Sequence, residues 1–509
     1  MDSRGRRRLL EATRSSRLAG KLAMNAHRQE LVFGVAIAIV LALGIAFGSV
    51  VHAVAPARLA TSIALHGQGF SSRAAYCPPS MPKEKDTTSI AITSGRPQPV
   101  PVSVQPAATP APLAGAGASA TPSAAASPEP SPAPRKIIPP RRARFERLRS
   151  DRAVNVVGYA GAAIASAVTR GGSGVGATAC SSVAGRRWYF AEGSSALGYD
   201  ERLILYNPFP DEAVARVSFI TPSGKQTKAN LSDQAVPAGA TSVLRLNAFI
   251  LKEPLLSIEV DAIRGRLVAW RSLEARTRHR PHGLQLSLGA TNSHTEWFFP
   301  DGAVGDGYDE RIALLNPNSK AAQVSISVLT ANRTVQPAKL LNITVPPASS
   351  KSVAPADAIT GCAKQVCAVG TVVTATNGVG VVAERTMWYS TGHVQGVASE
   401  IGAPVTAERW YLGPASFAPT RDSVSVLNPT TADATVTLTL ETDRRSLPSS
   451  GPLKLKVNAG TSLQVPITKW TRGRPVIVLL TSDQQIVAER SSYSRRGHDA
   501  SALMGRALP

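Results

Sequence analysis

Apolar and polar residues alternate with a period of two along most of the chain after residue 180. Runs such as AQVSISV and ATVTLTL place every second side chain on the same face, as in a half-buried strand. Pro, Gly, Asn and Ser interrupt these runs at intervals of about 8 to 15 residues, which is typical of a β-sandwich. The pattern therefore predicts an all-β fold.

The alternating runs belong to a longer repeat with a period of about 110 residues. Each copy opens on an aromatic run, continues to an Asn-Pro pair and closes on an arginine. The opening tryptophans are Trp188, Trp297 and Trp410, the asparagines are Asn207, Asn316 and Asn428, and the closing arginines are Arg271, Arg385 and Arg490. A valine follows about 29 positions after each asparagine, at Val236, Val345 and Val457. We predict three tandem immunoglobulin-like β-sandwich modules over residues 151–290, 291–404 and 405–509.

A different pattern precedes the repeats. Residues 31–51 read LVFGVAIAIVLALGIAFGSVV, an uncharged run long enough to cross a membrane as a helix. The basic segment 1–30 precedes it, so the positive-inside rule predicts a cytoplasmic tail and an extracytoplasmic remainder. We therefore predict a signal anchor over residues 31–55. Cleavage after the sequence Ala53-Val54-Ala55 is the alternative, although a proline follows directly.

Residues 56–150 are predicted to form an extracytoplasmic spacer. The part from 96 to 140 is dominated by Pro, Ala and Ser and lacks apolar periodicity. Such a composition favours an extended, solvated and disordered chain.

Charge then limits the choice of partners. The formal net charge is +22, but the basic residues are spread out and no nucleic-acid reader motif is present. We therefore expect no nucleic-acid partner and favour contact with anionic lipid, cell-wall glycan or envelope proteins.

The four cysteines are Cys77, Cys180, Cys362 and Cys367. After export an even count indicates disulfides. Cys362 and Cys367 enclose four residues and can close a hairpin-like loop, which leaves Cys77 to pair with Cys180. A zinc site is the alternative, but no neighbouring residues complete a ligand set.

Acidic residues recur beside the Asn-Pro pairs. Glu201, Glu310 and Asp422 hold one common position, whereas Glu192 has no acidic counterpart in the third copy. A glycosidase needs one pair of carboxylates in different environments, so acids copied into every module are poor catalytic candidates. We predict instead the structural ion pairs Glu201 with Arg271, Glu310 with Arg385, and Asp422 with Arg490.

The tryptophans divide into two groups. Trp188, Trp297 and Trp410 recur at one position and are predicted to pack in the module cores, with glycan stacking as the alternative. Trp270 and Trp388 are not aligned with each other and are predicted to be module-specific surface or interface residues, which makes them the candidates for a partner-binding site. No catalytic, cofactor-binding or metal-binding residue is predicted, and the scattered histidines of the closing segments are interpreted as loop residues.

The quoted repeats resemble the uncharacterised actinobacterial family named domain of unknown function 5719, with WYFAEG-type repeats of exported bacterial proteins. The resemblance covers Tyr76-Cys77-Pro78 and then roughly residues 169–509. Its most specific parts are Cys180 shortly before Trp188-Tyr189-Phe190 and the recurrent Asn-Pro that closes a strand. It implies a secreted or membrane-anchored envelope protein without an assigned activity.

These observations favour a non-enzymatic structural, adhesive or binding role at the cell wall. A first alternative is an accessory scaffold for membrane enzymes that assemble cell-wall polysaccharide. A second alternative is a cell-wall hydrolase.

Overall fold

The computed structural model describes residues 73–80, 87–93, 99–107, 136–139, 142–148, 152–159, 164–278, 280–357, 359, 366–391, 395–419, 421–443, 452–493 and 499–508. These residues are almost entirely strands and turns, as the alternating pattern predicts. Within these ranges no helix has the length and apolar character needed to cross a membrane. The predicted anchor at 31–55 lies outside the described residues.

Four two-layered β-modules are present in the described part of the chain, one more than the repeats indicate. The additional module, named module N, is built from residues 73–180. Its strands are β1 (Arg73–Cys77), β2 (Thr87–Thr93), β3 (Val100–Pro106), β4 (Lys136–Ile138), β5 (Arg144–Leu148), β6 (Val154–Gly158), β7 (Ile164–Gly171) and β8 (Gly174–Ala179). Five of these strands lie in the region assigned to a spacer, so part of that region is folded.

The sequence pattern does not predict module N, for a physical reason. Its early strands are short, are separated by proline-rich stretches and lack both the opening tryptophan and the Asn-Pro pair. The residues corresponding to Trp188 and Phe190 are Ala75 and Cys77, because Tyr76 pairs with Ser181 as Tyr189 pairs with Ala290. The remaining proline-rich residues 108–135 lie outside the described part.

Module 1 spans residues 187–290. Its strands are β9 (Arg187–Phe190), β10 (Tyr199–Tyr206), β11 (Ala213–Thr221), β12 (Gly224–Thr227), β13 (Gln234–Val236), β14 (Thr241–Arg245), β15 (Ser257–Arg264), β16 (Val268–Ala275) and β17 (Gly283–Leu288). One sheet has the order β14-β10-β16-β17 and the other β12-β11-β15-β9, with β13 beside β11. Single 3-10 turns occur at Ala229–Leu231 and Leu246–Ala248.

Module 2 spans residues 296–404 and repeats this order. Its strands are β18 (Glu296–Phe299), β19 (Ala303–Val304), β20 (Tyr308–Asn316), β21 (Ala322–Leu329), β22 (Thr334–Val335), β23 (Ile343–Val345), β24 (Ser349–Val353), β25 (Cys367–Ala368), β26 (Gly370–Ala375), β27 (Val382–Ser390) and β28 (Gln395–Ile401). Its sheets run β24-β20-β27-β28 and β18-β26-β21-β22, with β23 beside β21 and a separate β19-β25 pair. Its 3-10 turns are Ala338–Leu340 and Pro355–Asp357.

Module 3 spans residues 407–508. Its strands are β29 (Ala407–Leu412), β30 (Arg421–Asn428), β31 (Ala434–Glu441), β32 (Leu453–Val457), β33 (Thr461–Pro466), β34 (Ile477–Tyr493), β35 (Ser501–Met504) and β36 (Arg506–Ala507), with one helical turn, α1 (Thr468–Thr471). The long strand β34 pairs with strands of both layers and joins them into one eight-stranded sheet.

The strand order is not that of an immunoglobulin constant domain. In that domain the first strand pairs with the second, within an ABED sheet. In module 1 the first strand, β9, pairs with β15, and the second, β10, lies between β14 and β16 in the other sheet. The modules are therefore sandwich-like pairs of sheets with their own connectivity.

The recurrent asparagine explains the fixed spacing to the valine. The buried Asn207 side chain donates to the carbonyl oxygens of Asp211 (2.7 Å) and Val236 (3.0 Å), and accepts from the Phe209 amide (3.0 Å). Asn316 and Asn428 make the same bonds four and 29 residues further along the chain. Each amide side chain thus ties the end of one strand to the end of another, which fixes the number of residues between them.

Neighbouring modules pack head to tail. We call the sheet containing β17, and its equivalents containing β8, β28 and β35, the inner sheet of its module. Tyr189 and Ile220, from the other sheet of module 1, share a core with Leu314 of the module 2 inner sheet. Phe298 of module 2 joins the module 3 core in the same way.

The two ends of the described chain close this arrangement. Ala91 and Ile164 of the module N inner sheet form a core with Tyr411 and Ile477 of module 3. Ala107 of module N belongs to the module 1 core. Each module therefore contacts the next, and module 3 contacts module N, so the compact unit Phe70–Pro509 is a closed ring of four modules.

The ring has an axis formed by its innermost strands. Strands β8, β17, β28 and β35 are the edge strands of the four inner sheets, and each contacts the next around the ring. The same backbone hydrogen bond just after each of these strands shows which positions are equivalent. The amides of Gly289, Gly402, Gly505 and Cys180 donate to the carbonyl oxygens of Ala269, Ala383, Ala488 and Ala165, respectively.

Candidate functional site

The recurrent arginines lie in a buried layer around the ring axis. Arg271, Arg385 and Arg490 occupy equivalent positions on β16, β27 and β34, and all are fully buried. The residue just before each arginine is Trp270 in module 1, Glu384 in module 2 and Glu489 in module 3. In module N the backbone equivalence places Ser166 at this position and Ala167 at the position of the arginine. A buried guanidinium requires an anionic partner and several acceptors to offset its desolvation.

Arg271 obtains its anion from the next module. Its Nη2 atom lies 2.7 Å from Glu384 Oε1, and Nη1 donates to the Glu192 backbone carbonyl. Glu384 also accepts bonds from the backbone amides of Ala191 (3.1 Å) and Glu192 (2.9 Å) and from the Ser399 hydroxyl (2.9 Å). The pair therefore links modules 1 and 2.

The same contact recurs one module later. Arg385 Nη2 lies 2.5 Å from Glu489 Oε1, and Nη1 donates to the Asp301 carbonyl. The Asp301 amide donates to Glu489 Oε2 at 3.2 Å, as the Glu192 amide does to Glu384. Burial raises the pKa of Glu489 to about 7, against the opposing effect of Arg385.

Arg490 has a different partner because module N offers no acid. Its next neighbour around the ring carries Ser166 at the glutamate position. Arg490 instead forms a two-pronged pair with Asp422 of its own module, with distances of 2.8 Å from Nε to Oδ1 and 2.5 Å from Nη2 to Oδ2. The structure thus brings together one of the three predicted ion pairs.

The other two predicted pairs are not ion pairs. No salt bridge within 4.0 Å joins Glu201 to Arg271 or Glu310 to Arg385 among the described residues, because each arginine is taken by the glutamate of the next module. The Glu201 carboxyl accepts from the Ser194 amide (2.9 Å) and the Glu310 carboxyl from the Ala303 amide (3.1 Å).

Burial controls the protonation of these carboxyls. It raises the pKa of Glu201 and of Glu310 to about 8, although the nearby arginine charge acts in the opposite direction. Burial also raises the pKa of Glu192 to about 8. At neutral pH Glu201 and Glu310 are mainly neutral carboxylic acids enclosed in the fold. They share a backbone position with Asp422, but only Asp422 forms an ion pair with the arginine of its own module.

Neither predicted partner-binding tryptophan lies on a surface. Trp270 is 0% exposed and occupies the position that Glu384 holds in module 2. Its neighbour module N carries Ala167 instead of an arginine, so an apolar ring replaces the acid in this core. Trp388 is 6% exposed, lies edge-on to Tyr199 and has the Arg280 guanidinium 4.8 Å above its ring. A surface position is therefore wrong for both tryptophans, because the sequence does not show which strand face meets the next module.

The opening tryptophans pack as expected in the module cores. Trp188 and Trp297 are 1% exposed, and their indole N–H groups donate to the Leu267 (2.8 Å) and Val381 (2.7 Å) carbonyls. Trp410 makes the equivalent bond to Ile486 at 2.9 Å. Each bond joins the first strand of a module to its closing segment.

A disulfide joins Cys77 to Cys180 in the core of module N. In modules 1 and 2 the two equivalent positions hold a phenylalanine packed on a glycine. A side chain on Gly289 would place its Cβ 2.8 Å from Phe190 Cζ, and one on Gly402 would lie 2.7 Å from Phe299 Cζ. The disulfide therefore replaces an aromatic contact that module N lacks.

Only one cysteine of the second predicted disulfide lies in the described part of the chain. Cys367 takes part in a disulfide, at the start of β25. Cys362, its predicted partner, lies outside the described residues, so this pairing stays a prediction.

A cavity of about 410 Å³ lies on the ring axis, beyond the carboxyl ends of the four innermost strands. We call it the axial cavity. Its walls come from all four modules, and four of its lining residues are the structural equivalents Ala179, Leu288, Ile401 and Met504. The sequence analysis missed it, although the short motifs LGA and IGA after the closing strands mark two of its walls. No group of three or more metal-ligating side chains occurs in the described ranges.

The sheets and the repeated core contacts define an all-β protein of paired, sandwich-like layers. The chain matches the family described as "Family of unknown function (DUF5719)" over residues 155–286 and 288–501. These two stretches make up more than half of its length, so the protein belongs to that family. No curated protein matches it.

Two solved structures are similar to parts of the chain at low scores. The structure of Thermotoga maritima 1070 has 16% identity and a TM-score of 0.17, and the alignment covers 20% of this chain and 95% of that one. The C-terminal domain of the Streptococcus pyogenes antigen I/II-family protein AspA has 10% identity and a TM-score of 0.12, with 47% and 92% covered. Scores this low carry no inference about fold.

Proposed function

We propose that this is a membrane-anchored envelope protein whose ring of β-modules binds cell-wall material without enzymatic turnover. Residues 31–51 form the single membrane-spanning segment, the N-terminus is cytoplasmic and the ring is extracytoplasmic. The modules are immunoglobulin-like in size and layering, and the protein is of the actinobacterial exported type with WYFAEG repeats.

The observation that carries this proposal is the buried disulfide between Cys77 and Cys180. Disulfides persist in oxidising compartments and are rare in the cytosol. The bond lies after the uncharged run at 31–51, and a basic segment precedes that run. Both features support export of the part that follows the run.

The recurrent acids support a binding role rather than hydrolysis. A glycosidase exposes two carboxyl groups to substrate, at a separation set by its mechanism. Glu201 and Glu310 are 0% and 1% exposed, and Glu384 and Glu489 are held by arginines of the preceding module. These groups stabilise module contacts, so the hydrolase alternative has no supporting observation here.

A basic groove on module 1 supplies a candidate surface for an anionic wall polymer. The exposed Arg186, Arg187 and Arg216 line a groove of about 620 Å³. Only Asp261 among its lining residues is acidic, and it lies 3.6 Å from Arg187. Three cations in one groove favour contact with phosphate or carboxylate groups.

Labelling of intact cells tests the location. A cysteine placed at Leu197, which is 98% exposed, should react with a membrane-impermeant maleimide. A cysteine placed at Ser3 should react only after permeabilisation. Labelling of both sites in intact cells, or of neither, would contradict the anchored topology.

A sedimentation assay with isolated cell wall tests the binding role. The purified full chain should pellet with wall in low salt and be released by added salt, because the contact is between opposite charges. The double variant R186S/R216S should be retained several-fold less, whereas R333S, which removes an exposed arginine elsewhere, should be retained normally. Absence of wall retention would refute the proposal. Recovery with membrane enzymes instead would favour the accessory alternative, and release of reducing sugar would favour a hydrolase.

A further inference from the structure

The walls of the axial cavity are mainly apolar. Leu288, Ile401 and Met504 are partly exposed toward it, and the buried indoles of Trp188, Trp297 and Trp410 also line it. Its volume of about 410 Å³ lies in the range of small-molecule sites, roughly 300 to 1,000 Å³. An apolar cavity of this size suits a single aliphatic chain or ring.

One buried polar group in the cavity wall lacks a partner. Glu400 is 6% exposed, and its Oε1 atom has no hydrogen-bond partner among the described residues. Its carboxyl accepts a bond from the Met504 amide, and burial raises its pKa well above the ordinary value. A protonated carboxyl can both donate and accept a hydrogen bond. An unpaired buried polar atom destabilises the fold, so a ligand oxygen that forms a hydrogen bond with it would be favoured at this point.

The rim of the cavity is apolar. Val183 and Val405 line the cavity and are 52% and 49% exposed.

We propose that the axial cavity binds an aliphatic chain that ends in a hydroxyl or carbonyl oxygen, as found in lipids. The oxygen lies at Glu400, and the chain lies against Leu288, Ile401 and Met504. A hydroxyl oxygen can pair with the Glu400 carboxyl in either protonation state, whereas a carboxylate is repelled by the ionised form; the other charged side chain in the wall is Arg506. The choice of a lipid source rests on the proposed membrane location.

Tryptophan quenching tests the cavity directly, because bromine quenches an indole only at close range. The full chain in amphipol is titrated with bromoundecanol that carries bromine on its terminal carbon. We expect saturable quenching, and about two- to tenfold weaker binding of bromoundecane, which lacks the oxygen. Competition by dodecanol or by farnesol distinguishes an acyl-type from an isoprenoid source.

Matched variants keep the result specific. Ala290→Phe fills the cavity and should abolish saturable quenching, whereas Ala196→Phe, in a loop that does not line it, should not. Glu400→Leu should weaken the alcohol about two- to tenfold and leave bromoundecane unchanged, and Glu400→Gln should retain most alcohol binding. Circular dichroism checks that each variant is folded.

The proposal is overturned if bromoundecanol quenches the Ala290→Phe variant as it quenches the unaltered protein. It is also overturned if bromoundecanol binds no more tightly than bromoundecane. The assay uses no membrane, so it stands apart from the labelling test of topology. Quenching without external labelling would retain the site and reject the membrane location. External labelling without quenching would retain the location and reject the site.

Discussion

Removal of the Glu384 side chain should destabilise the ring more than any surface change. In the variant Glu384→Ala, Arg271 keeps its charge in a position with no solvent exposure. It also loses the only carboxylate within salt-bridge distance among the described residues. The backbone amides of Ala191 and Glu192 lose their acceptor at the same time.

The magnitude follows from these contacts. Breaking a buried ion pair from one side costs about 3 to 5 kcal/mol, because the remaining charge stays desolvated. That equals a loss of about two to three and a half powers of ten in the folding equilibrium. With a urea m-value of about 3 kcal/mol/M, the midpoint should fall by about 1 to 2 M.

Urea unfolding followed by tryptophan fluorescence measures this effect. The exposed Glu408 provides the control, since Glu408→Ala should change stability by about 0.5 kcal/mol or less. The double variant R271M/E384L removes both charges and should recover about 1 kcal/mol or more relative to Glu384→Ala. A Glu384→Ala midpoint equal to that of Glu408→Ala, or a double variant less stable than the single one, would refute the role assigned to this pair.

Three further outcomes are expected. Removal of the Cys77–Cys180 disulfide, which spans 103 residues, in the double variant C77A/C180A should lower the free energy of unfolding by about 4 to 5 kcal/mol, as measured by urea unfolding beside the unaltered protein. The pKa of Glu201 is about 8 in the fold against an ordinary 4.5, so between these values the folded state holds a proton that the unfolded chain has released. The contribution of Glu201 to the free energy of unfolding therefore falls as the pH rises from about 4.5 to about 8. The melting temperature of Glu201→Gln should rise relative to that of the unaltered protein over the same window. Gly289→Ala should lower the free energy of unfolding by about 1 to 3 kcal/mol, because the added Cβ clashes with Phe190. Gly172→Ala should be close to neutral in the same assay, because the nearest atom to its Cβ would be 3.8 Å away.

The sequence predicted the local structure of modules 1 to 3 well. Period-two alternation identified the strands, since it follows from pleating within one strand. The 29-residue spacing from Asn207 to Val236 was correctly treated as a structural signature, because an amide bond between these residues fixes it. The disulfide of Cys77 with Cys180 was also confirmed.

The sequence could not assign the partners across modules. Aligning Glu201 with Arg271 within one repeat assumed that a repeat satisfies its own charges. In the ring Arg271 pairs with Glu384 and Arg385 with Glu489, each from the next module, and only Arg490 pairs within its own module. The axial cavity was missed for the same reason, since each repeat supplies only a fraction of its wall.

Closure of the ring between its first and last modules has a consequence for biogenesis. Thr93 bonds to Glu441 across 348 residues, at 2.8 Å. Module N is synthesised first, yet the surface that covers its inner sheet is synthesised last. During translation this module must survive as an open-ended intermediate, and its internal disulfide is the one covalent crosslink that can form before the rest of the chain arrives. Oxidation of Cys77 and Cys180 early in synthesis is thus expected to limit misassembly, with ring closure as the final and slowest step of folding.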